Sequence, residues 1–125
     1  MVKLKGLAII LAVVFFFGLQ SAGAEEKFGV KVYHGAKYDE GATMFLRGST
    51  PAVDAACYRT GDGMEKVIEF YKKQSGLKFI GGDQTGVMFK KGPIIDITVQ
   101  SPWKDPKTGE VMKDTLITFM KLKQK

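Results

Sequence analysis

Asp62-Gly63-Met64-Glu65-Lys66-Val67-Ile68-Glu69-Phe70-Tyr71-Lys72-Lys73-Gln74-Ser75-Gly76 is the stretch on which the fold turns. Met64, Val67, Ile68 and Tyr71 recur at i, i+3, i+4 and i+7, the spacing of one helix face. Asp62 and Glu65 have the form of a capping box, in which each side chain answers a backbone N–H of the first turn. Glu69 and Lys73 stand four apart in the favourable order. Lys72 and Lys73 fall where the helix dipole favours positive charge. Gly76 provides a left-handed stop without a Cβ penalty. These signals predict a helix over about 63–75.

Downstream the period shortens from 3.6 to 2. Leu77–Ile80 reads as a short strand, Gly81-Gly82-Asp83 as a turn, Thr85–Lys90 as a strand and Lys91-Gly92-Pro93 as another turn. Ile95, Ile97 and Val99 then alternate with Asp96, Thr98 and Gln100. Asp105-Pro106-Lys107-Thr108-Gly109 has hairpin-loop chemistry, and Met112–Leu122 reads as the last strand. Links this short favour antiparallel neighbours.

Upstream, Val53–Thr60 reads as a strand and Arg47–Pro51 as a loop. Tyr38–Leu46 reads as a short helix with Tyr38, Ala42, Phe45 and Leu46 on one face. Residues 27–33 read as a half-buried strand with Phe28, Val30 and Val32 inward. The expected fold is α+β: a two-layer sandwich whose mainly antiparallel sheet of five to six strands has the main helix and the shorter N-terminal helix on one face.

The N-terminus reads differently. Lys3 and Lys5 precede an apolar run from Leu7 to Phe17, and Ala22-Gly23-Ala24 precedes Glu25. Positive start, apolar core and small residues at −3 and −1 form the three-part layout of a cleavable signal peptide over residues 1–24. The run is shorter than the ~20 apolar residues that span a bilayer. The one cysteine is Cys57, so the first mature position carries no lipid-anchor thiol. The expected product is one small domain, residues 25–125, periplasmic or secreted, with no stable membrane insertion after cleavage.

The chain carries +6. Lys3 and Lys5 leave with the leader while all 13 acidic residues stay, so the mature part carries +4. Export disfavours a nucleic-acid partner. An envelope protein or an anionic envelope polymer remains open as partner. A single cysteine forms no internal disulfide and excludes C-x-x-C redox and haem motifs. Ala55-Ala56-Cys57-Tyr58 favours a buried, inert thiol over one that cross-links two copies.

No cofactor or metal is expected. The chain has no G-x-S-x-G elbow, and Gly81, Gly82 and Gly86 lie between strands rather than in a phosphate loop. Pro106 and Lys107 stand where a calcium loop would need oxygen ligands. His34 is the one histidine, and Asp39 and Glu40 follow closely. These three are the candidates for a cryptic enzymatic site, against a turn residue and two first-turn acids. Trp103, beside Pro102 at a strand end, is the main candidate for contact with a ligand or partner, followed by Tyr33 and His34.

Three segments carry a likeness. Tyr33-His34-Gly35-Ala36-Lys37 resembles a Y-P-G-A-K turn. Tyr58-Arg59-Thr60-Gly61-Asp62-Gly63 resembles Y-x-T-x-D-S, and Phe70-Tyr71-Lys72-Lys73 follows it as F-Y-K-K. Val99-Gln100-Ser101-Pro102-Trp103 and Lys113-Asp114-Thr115-Leu116-Ile117 extend the likeness over most of the mature chain. The chain thereby resembles a set of small exported bacterial proteins of unknown function, departing from it at His34 and Gly63. The resemblance implies the fold and no activity.

The expectation is an exported small soluble protein that works as a non-enzymatic binding or accessory module of the cell envelope, with an enzyme using a cryptic site near His34, Asp39 and Glu40, or a basic module docking on anionic envelope polymers, as the alternatives. N-terminal sequencing of the exported protein is expected to begin at Glu25. Retention of residues 1–24 would instead make it a membrane-anchored protein.

Overall fold

The structure is a computed structural model that describes residues 25–124. It divides into two compact units, one ending at Gly35 and one running from Ala36. The expected signal peptide, residues 1–24, lies outside the described residues.

In the first unit, β1 (Glu26–Lys27) pairs antiparallel with β2 (Val30–Lys31). The single strand expected over 27–33 is therefore a hairpin. Phe28 and Gly29 take φ of 56° and 78°, the positive values that a two-residue turn imposes on both central positions. The alternation of Phe28, Val30 and Val32 suits a straight strand equally well, and the turn overrides it.

The second unit contains β3 (Lys37–Tyr38), α1 (Glu40–Ser49), β4 (Val53–Thr60), α2 (Met64–Lys72), β5 (Lys78–Gly82), β6 (Gly86–Lys91), β7 (Ile95–Gln100), β8 (Trp103–Lys104), β9 (Val111–Met112) and β10 (Thr115–Leu122). A six-stranded sheet runs in the order β3-β4-β10-β7-β6-β5, every neighbour antiparallel. The last strand in sequence thus sits between β4 and β7. The architecture is α+β with a mostly antiparallel sheet and two helices.

Register decides which side chains share a face. Ile117 lies between Tyr58 and Val99, and Phe119 between Ala56 and Ile97. With Val87 and Phe89 they form one face, buried throughout. The rings of Tyr71 from α2 lie 6.0 Å from Phe89 and 6.3 Å from Phe119, and Tyr58 lies 5.5 Å from Phe119. Such edge and tilted aromatic contacts add to area burial. Val67 and Tyr71 of α2 are fully buried, as the helical spacing requires.

The two helices do not share a face. Cys57 and Leu116 point to the side opposite Phe119, and Ala42 and Leu46 of α1 pack there. α1 also closes an edge. Beyond Tyr38, β4 has lost its strand partner. Asp39 N–H donates to the Cys57 carbonyl at 2.8 Å, and Cys57 N–H donates to Thr43 Oγ1 at 2.8 Å. Arg47 Nε donates to the Ala55 carbonyl at 3.1 Å. Helix side chains thereby occupy backbone groups that an open edge would expose.

Other boundaries shift for local reasons. α1 starts after Tyr38, which is in β3, because Asp39 caps it, accepting from Ala42 N–H at 3.2 Å. It runs on to Ser49 through the expected loop. The capping box of α2 is not formed: Gly63, not Asp62, is its N-cap. Gly81 and Gly82 belong to β5, with a register shift after Phe79, and the turn falls at Asp83. Asp83 Oδ1 accepts from Thr85 N–H, the Thr85 hydroxyl and Gly86 N–H at 2.9, 3.0 and 3.1 Å, which holds its carboxyl below the usual range. A Cβ on Gly82, whose φ is +153°, would run into the Gly86 carbonyl oxygen and Val87 Cα. Met112 leaves the expected last strand for the β8–β9 hairpin, which closes on the expected loop at Asp105–Gly109.

Phe119→Ala is expected to lower unfolding free energy by about 3–5 kcal/mol in urea titration, the cost of truncating a buried ring. Met44→Ala, on an exposed side chain, is expected to stay within about 0.5 kcal/mol.

Candidate functional site

Among the described residues, the sheet face opposite α2 stays partly open. Three rows of side chains cross it. The middle row runs Cys57, Thr118, Thr98, Met88 and Gly81, one from each successive strand from β4 to β5. One flank is Leu116 and Gln100, with Gly86 beyond; the other begins at Met120. Cys57, Thr118 and Thr98 are small beside Leu116, Gln100 and Met120, which leaves a trough between the flanks.

Its first segment, open to one side, has a volume of about 270 Å³ and is lined mainly by Phe45 and Leu46 of α1, Trp103 and Pro106 of the hairpin, and Leu116 and Met120 of the sheet. A second segment of about 470 Å³ continues over Ile80, Gly82 and Met88. The two share Thr98 and Gln100. Phe45 is 45 % exposed and Ile80 49 % exposed, so apolar surface faces water at both ends. Polar residues along the described lining are few: Thr98, Thr118, Gln100 and, exposed at the rim, Lys104. A concave apolar site with few polar groups is the usual form of a small-molecule site.

Trp103 belongs to this trough and to the core. Its ring is 5 % exposed and packs with Cys57 and Leu116. Its indole Nε1–H donates to Asp114 Oδ1 at 2.9 Å. Asp114 Oδ2 accepts from Arg59 Nε at 2.8 Å, and the Arg59 guanidinium lies 5.1 Å from the Trp103 ring. Arg59 Nη1 reaches Asp39 Oδ2 at 3.4 Å. The hydrogen bond to Asp114 raises the already high Arg59 pKa. This chain ties the hairpin, β10, β4 and the cap of α1 together, so the trough wall is held by polar contacts behind it.

The other candidates fall elsewhere. Tyr33 and His34 stack at 5.3 Å in the first unit, Tyr33 buried and His34 exposed. Asp39 uses its carboxylate on the α1 cap and on Arg59, while Glu40 is exposed in the first turn. Among the described residues no cluster of His, Cys, Asp and Glu could hold a metal ion. Cys57 is a free, buried thiol at one end of the trough floor, 3.8 Å from Thr118 Oγ1. Burial pushes its pKa up, which keeps it protonated and unreactive.

Thr98, Thr118 and Gln100 escaped the sequence reading. They sit at the polar positions of alternating strands, which reads as a solvated face. Phe45 and Leu46 were legible only as a core stripe. The available signal was two threonines in different strands, and only register places them side by side. No protein-family model, curated protein or solved structure matches this chain.

Asp114→Ala is expected to cost about 1–3 kcal/mol, because it leaves the Trp103 indole N–H and the Arg59 Nε–H without their acceptor. Trp103 is the sole tryptophan, so its emission should shift to the red as the wall loosens. An unshifted spectrum with full stability would show that the wall does not depend on Asp114.

Proposed function

We propose that the chain is exported, loses residues 1–24, and works in the periplasm or outside the cell as a small non-enzymatic binding module. The observation that carries this reading is the apolar trough left open on one sheet face while α2 covers the other. A face that served stability alone would gain from being filled, since apolar burial is the main favourable term in folding. The leader supports export, as does the likeness to small exported bacterial proteins. The ligand lies along the row Cys57, Thr118, Thr98 and Met88. Phe45, Leu46 and Pro106 cover one end, and Trp103 forms part of the wall.

The test uses protein recovered from the envelope of its own host. Native mass spectrometry is expected to show a small adduct, and its removal should change Trp103 emission. Thr98→Phe, which fills the floor from a half-buried position, is expected to weaken adduct binding at least tenfold while the far-UV spectrum is kept. Turnover of a substrate by the protein, abolished by a single substitution, would overturn the non-enzymatic reading. An adduct unaffected by Thr98→Phe and by a second filling change, Gln100→Phe, would overturn the site.

A further inference from the structure

Resting on that reading, we infer that the trough takes a single-chain anionic amphiphile, a fatty-acid-like carboxylate, with its chain along the trough and its head on Lys104.

Shape comes first. The floor is one row of side chains wide, small at every position but Met88, and crosses four inter-strand steps from Cys57 to Gly81, roughly 19 Å at sheet spacing. That is long and narrow, and it suits one extended chain rather than a pair.

Chemistry comes second. The trough floor is side chains above a sheet whose backbone groups already pair strand to strand. An extended peptide is usually held by free main-chain groups at a sheet edge, and among the described residues this floor meets an edge only at its Gly81 end, on β5. What it offers is Leu46, Met88, Leu116 and Met120, together with the methyl-bearing Thr98 and Thr118.

Charge comes third. Among the described residues neither segment is lined by Asp or Glu, and Lys104 is the one cation in the lining. Lys104 forms no ion pair among the described residues, whereas the nearby Lys90 is held by Asp96 at 2.6 Å and Arg59 by Asp114 at 2.8 Å. An apolar channel with one exposed lysine at its rim, outside every ion pair among the described residues, complements an apolar chain with one negative head. It disfavours a cationic one.

The full chain, expressed with its own leader and purified after export, is titrated with sodium decanoate, sodium dodecanoate, dodecanol and dodecyltrimethylammonium below their micelle concentrations, following Trp103 emission. The carboxylates are expected to bind, with affinity rising about fourfold per methylene as each adds its burial free energy. Dodecanol is expected to bind about tenfold more weakly, the scale of a charge-assisted hydrogen bond, and the cation not measurably. Lys104→Glu should weaken dodecanoate about tenfold or more and leave dodecanol unchanged. Equal binding of dodecanoate and dodecanol would overturn the head-group assignment while leaving the trough as a site. Binding to vesicles of anionic diacyl phospholipid without binding to dodecanoate would also overturn it. Failure of all four amphiphiles on protein that still carries a native adduct would sink the ligand class alone. Failure with no adduct would sink the binding reading as well.

Discussion

The structure depends on one strand being buried on both of its faces. Thr115–Phe119 of β10 are all buried, and β10 is hydrogen-bonded along its length to β4 on one side and β7 on the other. A side chain in that position has no face to give to solvent. Ile117 and Phe119 therefore meet the aromatic layer under α2. Leu116 and Thr118 meet Cys57, Trp103 and the lining of the trough. The strand separates a dense, closed layer from a looser, open one, and each is assembled on it.

The closed layer is aromatic and depends on area and ring geometry. The open layer depends on polar contacts. Asp114 stands at the start of β10 and accepts from both Trp103 and Arg59. Each of those donors belongs to a different element, so a single carboxylate positions the hairpin against the sheet. Asp39 repeats the device at α1, capping the helix and receiving Arg59. Partly buried pairs of this kind contribute modestly to stability, but they define geometry. Their effect here is to hold the two walls of the trough apart by elements that are each anchored to β4.

How α1 is placed follows from an edge rather than from its own amphipathicity. Its stripe of Ala42, Phe45 and Leu46 is only partly covered, and Phe45 remains 45 % exposed. What locates the helix is Thr43, fully buried, whose hydroxyl accepts from Cys57 N–H and donates to the Asp39 carbonyl. A threonine in a short helical run with two glycines gives no outward sign of that role. For the same reason the expectation that both helices cover one face fails. Hydrophobic spacing tells which side of a helix is buried and is silent on which side of the sheet receives it.

Local chemistry in the sequence determined the main elements: Val53–Thr60, the helix from Met64 with Val67 and Tyr71 inward, the alternation of Ile95–Gln100, the loop at Asp105–Gly109 and the burial of Cys57. Those features rest on residues within one turn or one strand of each other, where period and turn preference act directly. Tertiary structure alone decided that β10 enters between β4 and β7, that the helices take opposite faces, and that Cys57, Thr118, Thr98 and Met88 form one row. Each of these needs a register between strands far apart in the chain. Register is set by the packing of whole faces, because a slip of one residue exchanges the two faces of a strand.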